Sequence, residues 1–367
     1  MNLRGFAIAL LLCALVLPVA AAQKNKKNAI PFADLPVRPS KEDTKKDLPP
    51  PATLAREPRV AVTADTSRLV FRTSMLESKG LLSQQTRDAL KGLLRAHGSD
   101  EIVKLRAFVA GSGDLRRVQD MVAEVFSDKR ELPALTVVQV GALPLDRAQV
   151  VIESTAEAKK PVNANGVAFV SAQSASSLDG AVARVKELLK SGGMQMGSLL
   201  RMTCFVSSLE GIPAQPAGVP IDVNIVQMQR QPVRPAAACE AVARLEQPRT
   251  QPLQFVDGSS GAPAMAVVSA PRVVMTGSQL GFGEQETDVK QAFERLQKDV
   301  TDARGDMRRT VMAHYYLLSH GVSDQVRKLR GEFEGSALPA STMLGFEGLP
   351  SIDAVFAMDV IALPAGQ

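Results

Sequence analysis

The chain has 367 residues, 45% hydrophobic and 22% charged, with a formal net charge of +5. That length is more than one hydrophobic core usually serves, so two or three domains are expected. It has no Trp and only two Tyr, which removes most of the aromatic platforms on which single-stranded nucleic acids stack.

Residues 1–22 read as a secretory signal peptide. A short positive start ends at Arg4, an apolar run follows from Phe6 to Val19, and Ala20, Ala21 and Ala22 form a small-residue cleavage site. The run is shorter than the ~20 residues a spanning helix needs, which leaves an uncleaved anchor as the alternative. Leucines rather than small residues precede Cys13, against a lipoprotein site. The expected location is therefore periplasmic or secreted, with no transmembrane segment after cleavage.

Residues 23–59 form a basic, proline-rich tether, too poor in apolar side chains to offset the entropy of ordering. The tether holds nine Lys/Arg and five Asp/Glu, a net of +4, and Arg4 supplies the remaining unit of the +5. The chain from residue 60 onward is therefore close to neutral. It lacks the basic stripe of a nucleic-acid binder, so nucleic acid is not an expected partner. The tether reads as a solvated spacer, with attraction to an anionic envelope surface as the alternative.

Beyond the tether the elements run in three similar series. The first has a strand at 68–73, a helix at 82–96 that Ser83 can cap and Gly98 ends, and a strand at 102–110. A second helix at 115–126 carries Val118, Val122 and Phe126 on one face, and an apparent hairpin spans Pro133 to Thr155 about a Leu-Pro turn. The second series has a strand at 166–173, a helix at 178–190 and a strand at 200–207. Gly- and Pro-containing sequence at 211–220 replaces its second helix, and a weaker hairpin follows at 234–257. The third series has strands at 265–269 and 272–279, helices at 287–303 and 323–333 about a strand at 310–318, and a closing hairpin at 338–362. The order in each is β-α-β-α-β-β, an α+β architecture with helices on one sheet face. The other face must be covered too. Val137, Val138 and Val140, and likewise Phe356, Met358 and Val360, would be exposed in a lone unit, so the three sheets are expected to pack together.

After signal cleavage Cys204 and Cys239 remain. Both lie in apolar strand-like segments and read as buried free thiols, with pairing in an oxidising compartment as the alternative. His97, His314 and His320 are scattered, so neither a metal site nor a cofactor is expected.

The recurring hairpins resemble the RidA/YjgF family of imine deaminases, once labelled endoribonuclease L-PSP. The family has a Pro-Ala-Arg-Ser/Thr segment running into a strand, a Leu-Pro turn and a Glu-Ile-Glu-Ala-Ile-Ala strand. Matching residues are Pro133-Ala134-Leu135-Thr136 with Ile152-Glu153, Pro339-Ala340-Ser341-Thr342 with Met358-Asp359, and Pro235-Ala236-Ala237-Ala238. The family's Phe-Val-Ser-Gly-Gln strand is echoed at 169–173 and 275–279, the latter including Gly277. The resemblance implies a chorismate mutase-like fold in three units, at 60–158, 159–258 (degenerate) and 259–367. It also implies an intramolecular pseudo-trimer, monomeric in chain count, with small-molecule clefts between units. Substrate-contacting positions would be Leu135, Ala237, Ser341, Thr342 and Gly277, and catalytic candidates Glu153, Thr136 and Asp359. The family's carboxylate-gripping arginine is replaced by Leu135, Ala237 and Ser341. No neutral side chain reproduces a bidentate guanidinium, so a catalytically degenerate binding or scaffold module is expected. Arg234 would restore the arginine in a shifted register, and with it an imine deaminase or related hydrolase.

Overall fold

A computed structural model describes residues 56–366, apart from 112, 127–129, 229–235, 260 and 336. The signal peptide, residues 23–55 of the tether, and Arg234 lie outside the described residues. In chain order the first series is β1 (Ala61–Asp65), β2 (Leu69–Thr73), α1 (Leu82–His97), β3 (Glu101–Ala110), α2 (Arg116–Val125), β4 (Ala134–Val140) and β5 (Val150–Glu157). The second is β6 (Val167–Ala175), α3 (Leu178–Ser191), β7 (Leu199–Val206), β8 (Asn224–Gln227) and β9 (Ala237–Arg244). The third is β10 (Leu253–Asp257), β11 (Pro263–Val268), β12 (Arg272–Thr276), β13 (Gln279–Gly281), α4 (Glu286–Asp302), β14 (Gly305–Leu317), α5 (His320–Glu334), β15 (Ala340–Gly345) and β16 (Phe356–Pro364).

The helices stand close to the spans that apolar periodicity predicts. Gly98 ends α1 at a φ of 62°, donating its N–H to the carbonyls of Leu94 and Arg95. Ser177 and Ser319 cap α3 and α5 through their hydroxyls. Ser83 does not cap α1: it lies inside the first turn, behind Leu81, which makes no side-chain cap.

Three sheets share one strand order. It is β2-β5-β3-β4 in the first, β6-β9-β7-β8 within the second and β12-β16-β14-β15 within the third. In each the last strand lies between the first and the middle one. The expected hairpins are therefore not hairpins. β4 runs parallel to β3 because α2 carries the chain back to the same end of the sheet, and β5 then pairs antiparallel on the other side of β3. β15 and β16 flank β14 in the same way. In the second sheet the parallel strand is β8, and β9 is the central one.

Two strands cross the expected unit boundaries. β1 precedes β2 in the chain but pairs with β12 in the third sheet. β11 precedes β12 but pairs with β6 in the second, carrying β10 with it.

Each sheet turns one face to its own helices. Leu90, Val118 and Ile152 pack there in the first sheet, Val185 and Met202 in the second, and Phe293, Phe333 and Met358 in the third. Val137 and the trio Phe356, Met358 and Val360 belong to these helix-side cores. The period of two sends their neighbours, such as Ala357 and Ile361, to the opposite face, which corrects the expectation for those residues. The opposite faces meet in two shared apolar clusters. One holds Phe71, Val103, Phe169, Met275 and Val311; the other holds Phe108, Val138, Phe205, Tyr316 and Phe346. In the second cluster Phe108 and Phe205 meet edge to face at 5.9 Å, as do Phe205 and Phe346 at 6.0 Å.

Cys204 and Cys239 are joined by a disulfide, not left as free thiols. The antiparallel register sets them directly opposite on β7 and β9, with Cα atoms 4.1 Å apart, within disulfide reach.

Candidate functional site

Between the two shared apolar clusters lies a layer of buried polar side chains. Its positions follow from strand register. Arg106 on β3 is opposite Thr136 on β4 and Glu153 on β5. Thr203 on β7 is opposite Asn224 on β8 and Glu240 on β9. His314 on β14 is opposite Thr342 on β15 and Asp359 on β16. Two residues earlier on the middle strands stand Lys104, Arg201 and Met312.

The layer is knitted across the sheets in a cycle. Thr136 donates to Asp359 at 2.6 Å, Thr342 donates to Glu240 at 3.0 Å, and the Asn224 amide donates to Glu153 at 2.7 Å. In each case the neighbour of one sheet's middle strand binds the carboxylate of the next sheet. Arg106 bridges two carboxylates, donating to Glu153 through Nε at 3.0 Å and Nη2 at 2.7 Å, and to Glu240 through Nη2. Lys104 donates to Thr136 at 2.7 Å, to the Thr276 carbonyl, and to Asp359 at 3.2 Å. Thr203 donates to Glu153 and Tyr316 to Asp359, the latter at 3.0 Å. His314 sets Nδ1 3.0 Å from Asp359 and Nε2 3.5 Å from Glu240.

The charges are tuned accordingly. Burial alone would push Glu240 and Asp359 up. Arg106 and His314 beside Glu240, and Lys104 and His314 beside Asp359, hold both well below the usual carboxylate range. Burial is likewise outweighed at Glu153 by Arg106 and Arg201, and at His314 by Glu240 and Asp359, which raise the imidazole. Lys104 and Arg201 are lowered by burial. Tyr316 is pushed far up, first by burial and then by Asp359. Beside the layer a cavity of about 30 Å³ opens among Lys104, Arg106, Arg201, Phe71, Thr276 and Ile361. That is room for on the order of two waters. Among the described residues no group of His, Cys, Asp and Glu could hold a metal ion.

Of the expected catalytic residues, Glu153, Thr136 and Asp359 are all in this layer and all internally partnered. Thr342 joins them. The other expected positions lie elsewhere. Leu135 is buried on the helix side of its sheet, and its carbonyl accepts from the Ser278 N–H at 3.0 Å. Gly277 presses on that same backbone: a Cβ there would stand 3.0 Å from the Leu135 carbonyl oxygen. Ser341 accepts from Arg330 Nη1 at 2.8 Å. Ala237 is misassigned. Because Glu240 is the register equivalent of Glu153 and Asp359, Ala237 matches Val150, and the residue matching Leu135 is the half-buried Val223. That position is neutral as well.

Arg106, Arg201, Thr203, Asn224, Glu240, His314 and Tyr316 were not anticipated as site residues. One signal lies in the sequence: Cys239-Glu240-Ala241-Val242-Ala243 follows the family's Glu-Ala-Ile-Ala strand.

The fold is mixed α+β, three sheets of one strand order about a shared polar layer. Residues 61–158 match the family described as Endoribonuclease L-PSP. Similar solved structures include a member of the YjgF/YER057c/UK114 family from Mycobacterium tuberculosis, 15% identical, covering 25% of this chain and 78% of that chain at a TM-score of 0.24. A YjgF-family protein from Neisseria meningitidis is 9% identical over 31% of this chain and 97% of its own, also at 0.24. Yeast Mmf1 is 17% identical over 32% and 98%, again at 0.24. No curated protein matches the chain.

Proposed function

We propose that this chain is an exported, catalytically degenerate RidA-like pseudo-trimer, three units in one polypeptide, acting as a scaffold or small-molecule-binding module. The carrying observation is the state of the three carboxylates. Glu153, Glu240 and Asp359 are each 4% exposed or less, and each is committed to internal cations and hydroxyls. A general base needs a free lone pair within reach of substrate, and the adjoining cavity is far smaller than an imino acid. The neutral Leu135, Val223 and Ser341 remove the carboxylate grip that the family resemblance calls for. The threefold strand order and the cyclic donors Thr136, Asn224 and Thr342 support three units per chain. The Cys204–Cys239 disulfide supports export to an oxidising compartment, with residues 1–22 as the signal peptide.

The test is to mix the protein with freshly generated 2-imino acids and follow keto-acid release. Release at the protein-free rate is expected; release well above it would overturn the reading. Light scattering should give a mass near one chain, and a mass near three would refute the intramolecular trimer. One observation favours a deaminase instead. Arg330 reaches Ser341 from α5 and so brings a guanidinium to the arginine position of the third unit. If turnover is found and Arg330→Ala abolishes it, that alternative stands.

A further inference from the structure

The buried layer holds more positive than negative charge. His314 faces a carboxylate with each ring nitrogen, Asp359 at Nδ1 and Glu240 at Nε2, and only the doubly protonated ring can serve both as donor. Lys104, Arg106, Arg201 and His314 then make four cations against Glu153, Glu240 and Asp359. An uncompensated charge in a low-dielectric interior is costly.

The unsatisfied donors point to where the balance is made. Arg106 is 4% exposed, and its Nη1 has no hydrogen-bond partner although Nε and Nη2 are fully used. Among the described residues Arg201 is held by a 3.7 Å ion pair to Glu153 and by stacking over Phe71 at 5.3 Å. Arg106 and Arg201 both line the cavity beside the layer, and Lys104 lines it as well. Phe71, Phe169, Met275 and Ile361 supply apolar wall, and the carboxylates lining it, Glu153 and Asp359, are those already paired to these cations. At about 30 Å³ it has room for a monatomic ion.

We propose that this cavity binds a single halide ion, chloride under ordinary conditions, held by the guanidinium groups of Arg106 and Arg201. The ion closes the charge count and gives Arg106 Nη1 its missing acceptor. The site is architectural, and it rests on reading the layer as the closed centre of the molecule.

The folded protein is purified in gluconate, then crystallised with bromide. Anomalous scattering is expected in the cavity, within hydrogen-bonding reach of Arg106 Nη1. In solution the melting temperature should climb saturably as bromide or chloride replaces gluconate at fixed ionic strength. Arg201→Gln should weaken this response about tenfold or more, as loss of a charge-assisted hydrogen bond requires. Water alone in the cavity, or halide only at surface positions, overturns the proposal. So does a melting temperature indifferent to halide in the parent protein, a readout that stands even if the variant fails to fold. Neither readout uses an imino acid, so halide binding and the absence of turnover can fail separately.

Discussion

Replacing Glu240 with alanine tests whether the charged layer is architecture or active site. The Glu240 carboxylate accepts from Arg106 Nη2 and from Thr342 Oγ1 at 3.0 Å, and it faces His314 Nε2 at 3.5 Å. Its removal leaves Arg106 with Glu153 alone and His314 with Asp359 alone, both still buried. Removing one member of a buried ion pair costs about 3–5 kcal/mol, because the abandoned charge keeps its desolvation penalty. Glu240→Gln keeps the shape and an acceptor for Thr342, so its cost should be smaller, about 1–3 kcal/mol. Urea unfolding followed by circular dichroism measures both. With an m-value near 3 kcal/mol/M, the alanine variant should shift the midpoint down by about 1–1.7 M. A midpoint unchanged or raised would refute the reasoning, since residues kept for catalysis at the expense of stability tend to stabilise when removed. The sign with pH follows from the depressed carboxylate. Its contribution is present above the unfolded pKa near 4.3 and is lost as pH falls below it. Glu240→Ala should therefore flatten the acid limb of the stability curve.

Two further outcomes are expected. Glu334 is fully buried, accepts from the Tyr315 hydroxyl, sets Oε2 3.6 Å from Arg330 Nε without a hydrogen bond, and is raised by burial to about 7. A carboxyl raised in the folded state favours folding below its unfolded pKa and forfeits that as pH rises, so Glu334→Gln should gain roughly 2–4 kcal/mol on the parent between pH 4.5 and 8. Thermal melts across that range check it, and parallel curves for the two proteins would contradict it. The Cys204–Cys239 disulfide closes a loop of 35 residues, and its reduction should cost about 4 kcal/mol by chain entropy. Melting with and without dithiothreitol measures that loss, and an unchanged midpoint would argue against a formed bond.

Much of the fold can be read from the chain. The stripe Val289, Phe293, Leu296 and Val300 marks α4, and Gly98 marks the end of α1. Pairing is another matter. Val137 and Val138 are buried on opposite faces of β4, so no alternation says which strand lies beside it. A Leu-Pro turn between two apolar runs then imitates a hairpin, although the loop crosses over the end of β3. The exchange of β1 and β11 onto other sheets is equally silent, because any extended segment with a free edge nearby can pair. Of the site, the family pattern leads to Glu153, Thr136, Asp359 and Thr342. It misleads in the second series, where Pro235-Ala236 imitates the start of β4 and draws attention from Glu240. Arg106 is one of two cations in Lys-Leu-Arg-Ala-Phe-Val-Ala, and only the register of three sheets sets it and Lys104 in the layer.

Three sheets of one strand order that differ in sequence allow a layer of mixed charge. In a homotrimer every side chain near the axis occurs three times, so one buried cation per subunit means three like charges close together. One chain with three diverged units is free of that rule. At the Lys104 position it carries Lys, Arg and Met, and at the Arg106 position Arg, Thr and His, against Glu, Glu and Asp on the central strands. Cations and anions can then alternate around the centre, with Thr136, Asn224 and Thr342 carrying the remaining hydrogen bonds from sheet to sheet. Side chains in such a network are constrained by one another more than by any substrate.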